Sequence, residues 1–101
     1  MHRFDIINRL ILRYGFQSYL EIGVLGRETY SRVAAPLRHG VDPNGVGDFT
    51  MTSDDFFELY SFNYDLIFID GLHLHEQVLK DVENALTHLN DGGIIVMHDC
   101  L

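Results

Sequence analysis

Seven side chains at five points of the chain are of types that do chemistry: Glu21, Asp42, Ser53 with Asp54, Asp70, and His98 with Asp99. Most of them follow an apolar or weakly polar stretch, so the polar groups fall at the ends of segments and not along them. Carboxylates gathered in this way attract a cation, accept paired hydroxyls or ligate a hard metal, and they repel phosphate. Between the first two points lies Gly23-Val24-Leu25-Gly26-Arg27-Glu28, a turn with two glycines.

Residues 3–14 carry Ile7, Leu10, Ile11 and Tyr14 at helical spacing, and Gly15 ends that helix. A strand is expected over 18–23. A second helix is expected where Tyr30, Val33, Ala34 and Leu37 repeat the spacing, stopping near Ala35 because Pro36 follows. A brief strand then ends at Val41-Asp42, with a weak third strand over 48–51. Ser53 is the expected N-cap of a helix holding Phe56, Phe57 and Tyr60. Leu66-Ile67-Phe68-Ile69 reads as a strand covered on both faces. Val78, Val82, Leu86 and Leu89 mark the next helix, Asn90-Asp91-Gly92-Gly93 a turn, and residues 94–97 a last apolar strand. Strands alternating with helices predict an α/β fold with a parallel sheet, whose ligands bind beyond the carboxyl ends of the strands. Those ends are where the seven side chains fall.

The 101 residues suffice for one domain, and 47% apolar against 22% charged residues is the balance of a globular protein. Fifteen acids against seven bases leave a formal charge of −8, which argues against nucleic acid as a partner. No apolar run is long enough to span a bilayer, and no signal peptide is evident. Cys100 is the single cysteine and has no internal partner, which points to a reducing, cytoplasmic setting.

Asp42 stands 21 residues after Glu21. It either accepts both hydroxyls of a ribose or opens the Asp42-Pro43-Asn44-Gly45 turn. The glycine turn lacks the second glycine of a dinucleotide-binding fingerprint, and a mouth rich in carboxylates receives two phosphates poorly. A nicotinamide-dependent dehydrogenase is therefore disfavoured. A nucleoside bearing a sulfonium and an ammonium suits the same mouth.

Five segments in order, Tyr19-Leu20-Glu21-Ile22-Gly23-Val24, Gly40-Val41-Asp42-Pro43, Thr52-Ser53-Asp54-Asp55-Phe56-Phe57, Tyr64 through the run ending Ile69-Asp70-Gly71-Leu72-His73, and Gly92-Gly93-Ile94-Ile95-Val96-Met97-His98-Asp99, resemble the class I S-adenosylmethionine-dependent methyltransferases. The nearest group is the small-molecule and sugar O-methyltransferase-like domains. The resemblance implies a Rossmann-like three-layer sandwich with a mainly parallel five-stranded sheet in the order 3-2-1-4-5. It also implies S-adenosylmethionine as cofactor and a small hydroxylated or sugar-like acceptor. By the same resemblance Glu21, Gly23 and Gly26 lie under the methionine part, Asp42 holds the ribose, and Ser53 and Asp54 lie beside the adenine. Asp70 faces the amino group or a metal, and His98 and Asp99 border the acceptor. Two departures from the pattern are visible: Arg27 stands where the family has glycine, and the C-terminal hairpin that usually follows strand five is lacking. Residues 1–101 are thus expected to form one partial methyltransferase domain.

Some relatives use Mg²⁺, and Asp70 with Asp99 would be its ligands, since adjacent strands lie about 4.8 Å apart. A third ligand is expected at the place of Cys100, and a thiol suits Mg²⁺ poorly. His98 is either a general base or a strand-end histidine bonded to a carboxylate. His73 and His75, two apart, do not share a helix face. The alternative to an enzyme is a truncated, non-catalytic nucleoside-binding or oligomerisation module, with the apolar edge at 94–97 covered in a homodimer.

Overall fold

The computed structural model describes residues 2–24, 29–44, 47–70 and 75–98. Helix α1 (Arg3–Tyr14) buries Ile7 and Ile11 and ends at Gly15, whose left-handed backbone (φ 65°) returns its N–H to the Ile11 carbonyl. At its other end Asp5 accepts the His2 backbone N–H at 2.9 Å, a carboxylate at the positive end of the helix dipole. These bounds are the ones the spacing predicts.

Four strands follow: β1 (Ser18–Ile22), β2 (Leu37–Val41), β3 (Tyr64–Asp70) and β4 (Leu89–His98). They form one parallel sheet in the order β2-β1-β3-β4. Helices α2 (Ser53–Leu59) and α3 (His75–Thr87) stand between strands in the chain. Successive residues of the strands point to opposite faces, and each face has its own cover. Tyr19, Leu66 and Phe68 pack with Ile7 and Ile11 of α1 on one side. Leu20, Ile22, Ile67 and Ile69 pack with Phe56 and Phe57 of α2 and Ala85 of α3 on the other. This is why β1 and β3 read as unbroken apolar runs. No helix among the described residues is long and apolar enough to cross a membrane.

The five-stranded sheet is corrected to four strands among the described residues. In place of the expected strand over 48–51 there is one isolated parallel bridge, Val41 to Phe49. Asp48 and Phe49 both donate their N–H to the single carbonyl of Gly40, and Met51 turns back onto the Phe49 carbonyl, so the ladder stops after one rung.

Three local expectations also change. The predicted second helix contributes only a 3-10 turn, Tyr30–Arg32, among the described residues. Val33 is already extended, and burial alternates through Val33, Ala34, Ala35 and Pro36. Pro36 disfavours helical backbone at its predecessor Ala35, and the Leu37 N–H then bonds the Gln17 carbonyl to open β2. The N-cap of α2 is Thr52, not Ser53, because the Thr52 hydroxyl accepts the Asp55 N–H at 3.2 Å. Leu89 opens β4 opposite Tyr64, and Asn90 to Gly93 form an irregularity within that strand instead of a separate turn, since Leu66 next pairs with Ile94.

Candidate functional site

Because the sheet is parallel, the last residues of all four strands lie together. Ile22 pairs with Val41 on one side and Ile69 on the other, and Asp70 pairs with His98. Glu21 and Asp70, one at the end of each central strand, are both almost fully buried. They share the face on which Tyr19 and Phe68 meet α1.

The Tyr19 hydroxyl donates to Glu21 Oε1 at 2.6 Å. Burial pushes the Glu21 carboxyl up to about 7. The bond from Tyr19 opposes that rise, the charge of Asp70 adds to it, and Arg3 subtracts from it. Burial, with the neighbouring Glu21, lifts the Tyr19 phenol well above its ordinary value. Arg3, at the start of α1, reaches Asp70 Oδ2 at 3.5 Å, while its side chain stays 44% exposed. The other oxygen, Asp70 Oδ1, is buried and accepts from no donor among the described residues. A buried carboxylate oxygen without a partner is costly, and a ligand that brings a donor removes that cost.

The second part of the site opens on the opposite face. A cleft of about 260 Å³ is lined by Ile22, Gly23, Val41, Pro43 and the Thr52-Ser53-Asp54 start of α2, with Gln77 of α3 at its side. Its size approaches the roughly 300 Å³ at which small-molecule clefts begin. Gly23 turns the chain away from β1 with a φ of 85°, a conformation that a side chain disfavours, while its N–H binds the Val41 carbonyl. Asp42 is buried, and its Oδ1 accepts the Asn44 N–H at 2.7 Å, so it does hold the turn it begins.

Ser53, relieved of capping α2, donates its hydroxyl to Asp81 Oδ1 of α3. Gln77 Nε2 donates to Asp81 Oδ1 at 3.1 Å, to Asp54 Oδ1 at 3.2 Å and to Ser53 Oγ at 3.3 Å. Asp81 is fully buried, and its Oδ2 has no donor among the described residues.

The structure thus brings Gly23, Ser53 and Asp54 to one cleft, with Asp42 in the turn beside it, and sets Glu21 and Asp70 side by side across the sheet. His98 lines a separate cavity of about 100 Å³ with Arg3 and Phe68. Gly26, Asp99, Cys100 and His73 lie outside the described residues. Among the described residues no three metal-ligating side chains cluster; Asp70 Oδ2 faces the Arg3 guanidinium, and Asp99, the other expected Mg²⁺ ligand, lies outside the described residues.

A family model described as a methyltransferase domain matches residues 16–100, most of the chain. The chain belongs to the methyltransferase-domain family. Comparison with curated proteins and with solved structures gives no significant match. It is a class I S-adenosylmethionine-dependent methyltransferase-like domain, and the cleft and the buried carboxylates lie at the carboxyl ends of its strands, the end at which open parallel sheets bind ligands. Four residues of the candidate site were not singled out in the sequence: Arg3, Tyr19, Gln77 and Asp81. Tyr19 shares a strand face with Glu21 by its spacing of two, and Gln77 and Asp81 share a helix face by their spacing of four. Those spacings were the available signals. Arg3 precedes the matched residues and has none.

Proposed function

We propose that the domain binds S-adenosylmethionine and transfers its methyl group to a hydroxyl of a small, sugar-like acceptor in a reducing cytoplasm. The observation that carries this reading is the cleft at the ends of β1 and β2, set across the sheet from two buried carboxylates. The residues fit the cofactor in charge: Asp70 Oδ1 lacks a donor among the described residues, and an α-ammonium supplies one. When bound, S-adenosylmethionine would supply an electrophilic methyl carbon: the O–C bond forms as the S–C bond breaks, the sulfonium leaves as a neutral thioether, and the acceptor oxygen gives up its proton.

In this reading the chain's own groups bind and orient. Ile22, Val41 and Pro43 offer apolar walls to the base, with Ser53 and Asp54 at its edge. Asp42, buried in the turn beside the cleft, accepts from the ribose. Gly23 leaves room for the amino-acid part, with Glu21 beneath it. His98, beside Arg3, is the residue to take the acceptor's proton. Titration calorimetry with S-adenosylmethionine and its demethylated product tests the reading: binding of the product in the micromolar range supports it. No binding of either at high micromolar concentration overturns it.

The second reading, a nucleoside-binding module without turnover, is favoured by β4, whose outer edge is unpaired among the described residues and whose Met97 is 53% exposed. A homodimer covering that edge accompanies it. Product binding without methyl transfer to any sugar or catechol-type hydroxyl would select this reading.

A further inference from the structure

Gln77 is held in one orientation by chemistry and not only by geometry. Its Nε2 meets three acceptors: the carboxylates of Asp54 and Asp81, and the Ser53 oxygen, whose one proton is given to Asp81. Rotating the amide by half a turn would set its oxygen against two carboxylates, so the nitrogen faces inward. Gln77 Oε1 is left on the other lobe of the amide and accepts from no donor among the described residues. Gln77 is half-buried and lines the cleft between β1, β2 and α2. The pivot of this arrangement is Asp81, fully buried one helical turn further along α3.

Resting on the reading that the cleft takes the nucleoside of the cofactor, we propose that Gln77, oriented by Asp81, selects an adenine-type base by accepting its exocyclic amine. The other polar atoms at the rim agree in sign, since Asp54 also presents carboxylate oxygen. A cleft edged by acceptors pairs with a base that carries N–H donors at its edge. It rejects a base with a carbonyl oxygen there, because two acceptors would then face each other without a proton between them. Gln77 is the specificity residue. Asp81 does not touch the ligand and is a positioning residue, acting through the amide and through Ser53.

The test compares S-adenosylhomocysteine with S-inosylhomocysteine, which carries a carbonyl in place of the C6 amine and a proton on N1, by titration calorimetry on the whole chain. The wild-type chain is expected to bind the adenosyl ligand about ten-fold or more tighter, the range set by one unpaired buried acceptor. Gln77→Leu is expected to bring the two affinities within about three-fold of each other; the lost donor to buried Asp81 lowers the thermal midpoint, so circular dichroism at the titration temperature establishes that the variant is folded. Asp81→Asn keeps an acceptor for Ser53 and Gln77 and is expected to retain the preference, whereas Asp81→Ala removes it.

A wild-type chain that binds both ligands equally overturns the proposal, as does a Gln77→Leu variant that keeps the preference. Loss of the preference in a folded Asp81→Asn variant, or its survival in a folded Asp81→Ala variant, overturns the role of Asp81. A wild-type chain that binds neither ligand overturns the nucleoside reading beneath it. The two failures are thereby told apart.

Discussion

The Tyr19 hydroxyl and the Glu21 carboxylate, two residues apart on β1, meet at 2.6 Å between the sheet and α1. Period-two alternation places both on one face, and burial of that face leaves each as the other's polar partner. The pair sets a pH dependence. Glu21 titrates at about 7 when folded against 4.5 when unfolded, so between those values the folded state binds more protons. Stability from this group is complete below about pH 4.5 and is lost as pH rises to 7, a loss of about 3 kcal/mol. Denaturant unfolding across this window should show the decline, and Glu21→Gln should flatten it.

The charges around Glu21 supply a second check. Asp70 raises its titration and Arg3 lowers it. Asp70→Asn is therefore expected to shift the Glu21 midpoint down, and Arg3→Met to shift it up. Carboxyl-selective NMR titration reads both directions. Shifts of the same sign would contradict the arrangement.

On the acid side a different carboxylate governs. Asp65 Oδ2 accepts the Gln17 N–H at 2.8 Å, and Oδ1 accepts from Asn90 Nδ2 at 3.0 Å. These bonds, the Gln17 one first, hold its carboxyl below the ordinary value of 3.8. Its contribution is present above pH 3.8 and is lost as pH falls through its folded value. The wild-type chain should thus lose stability on acidification. Asp65→Asn should blunt that loss and lower the thermal midpoint at neutral pH.

A fourth expectation concerns the loop that carries Asp42. A Cβ on Gly47 would lie 2.5 Å from the Gly40 carbonyl oxygen and 2.7 Å from its carbon, both backbone atoms. Neither can move without disturbing β2. Gly47→Ala is expected to cost roughly 1–3 kcal/mol in chemical denaturation, the usual penalty of overpacking. If it also weakens nucleoside binding, the turn holding Asp42 has shifted with it.

Much of this was legible in the residues themselves. The bounds of α1 and the run of β3 were read correctly because each has one pattern and one cover. The gathering of Glu21, Asp42 and Asp70 at one end followed from parallel strands alone. The segment after Gly23 misled because Tyr30, Val33, Ala34 and Leu37 fit a helical period while Pro36 had already disfavoured helical backbone at Ala35. Ser53 misled because Thr52 and Ser53 are both good caps, and only the buried Asp81 decides which hydroxyl is needed elsewhere. Such a partner, 28 residues away, is invisible to local pattern.

Asp65 and Asp70 stand on the same strand, five residues apart, in opposite circumstances. The first has both oxygens engaged by its own chain, and the second keeps one oxygen without a donor among the described residues. The domain is therefore asymmetric in what it tolerates. Changes at the Asp65 end register as loss of the protein itself, whatever the ligand. Changes at the Asp70 end act on stability through the buried Glu21 beside it and, where a bound donor meets the remaining oxygen, on affinity as well.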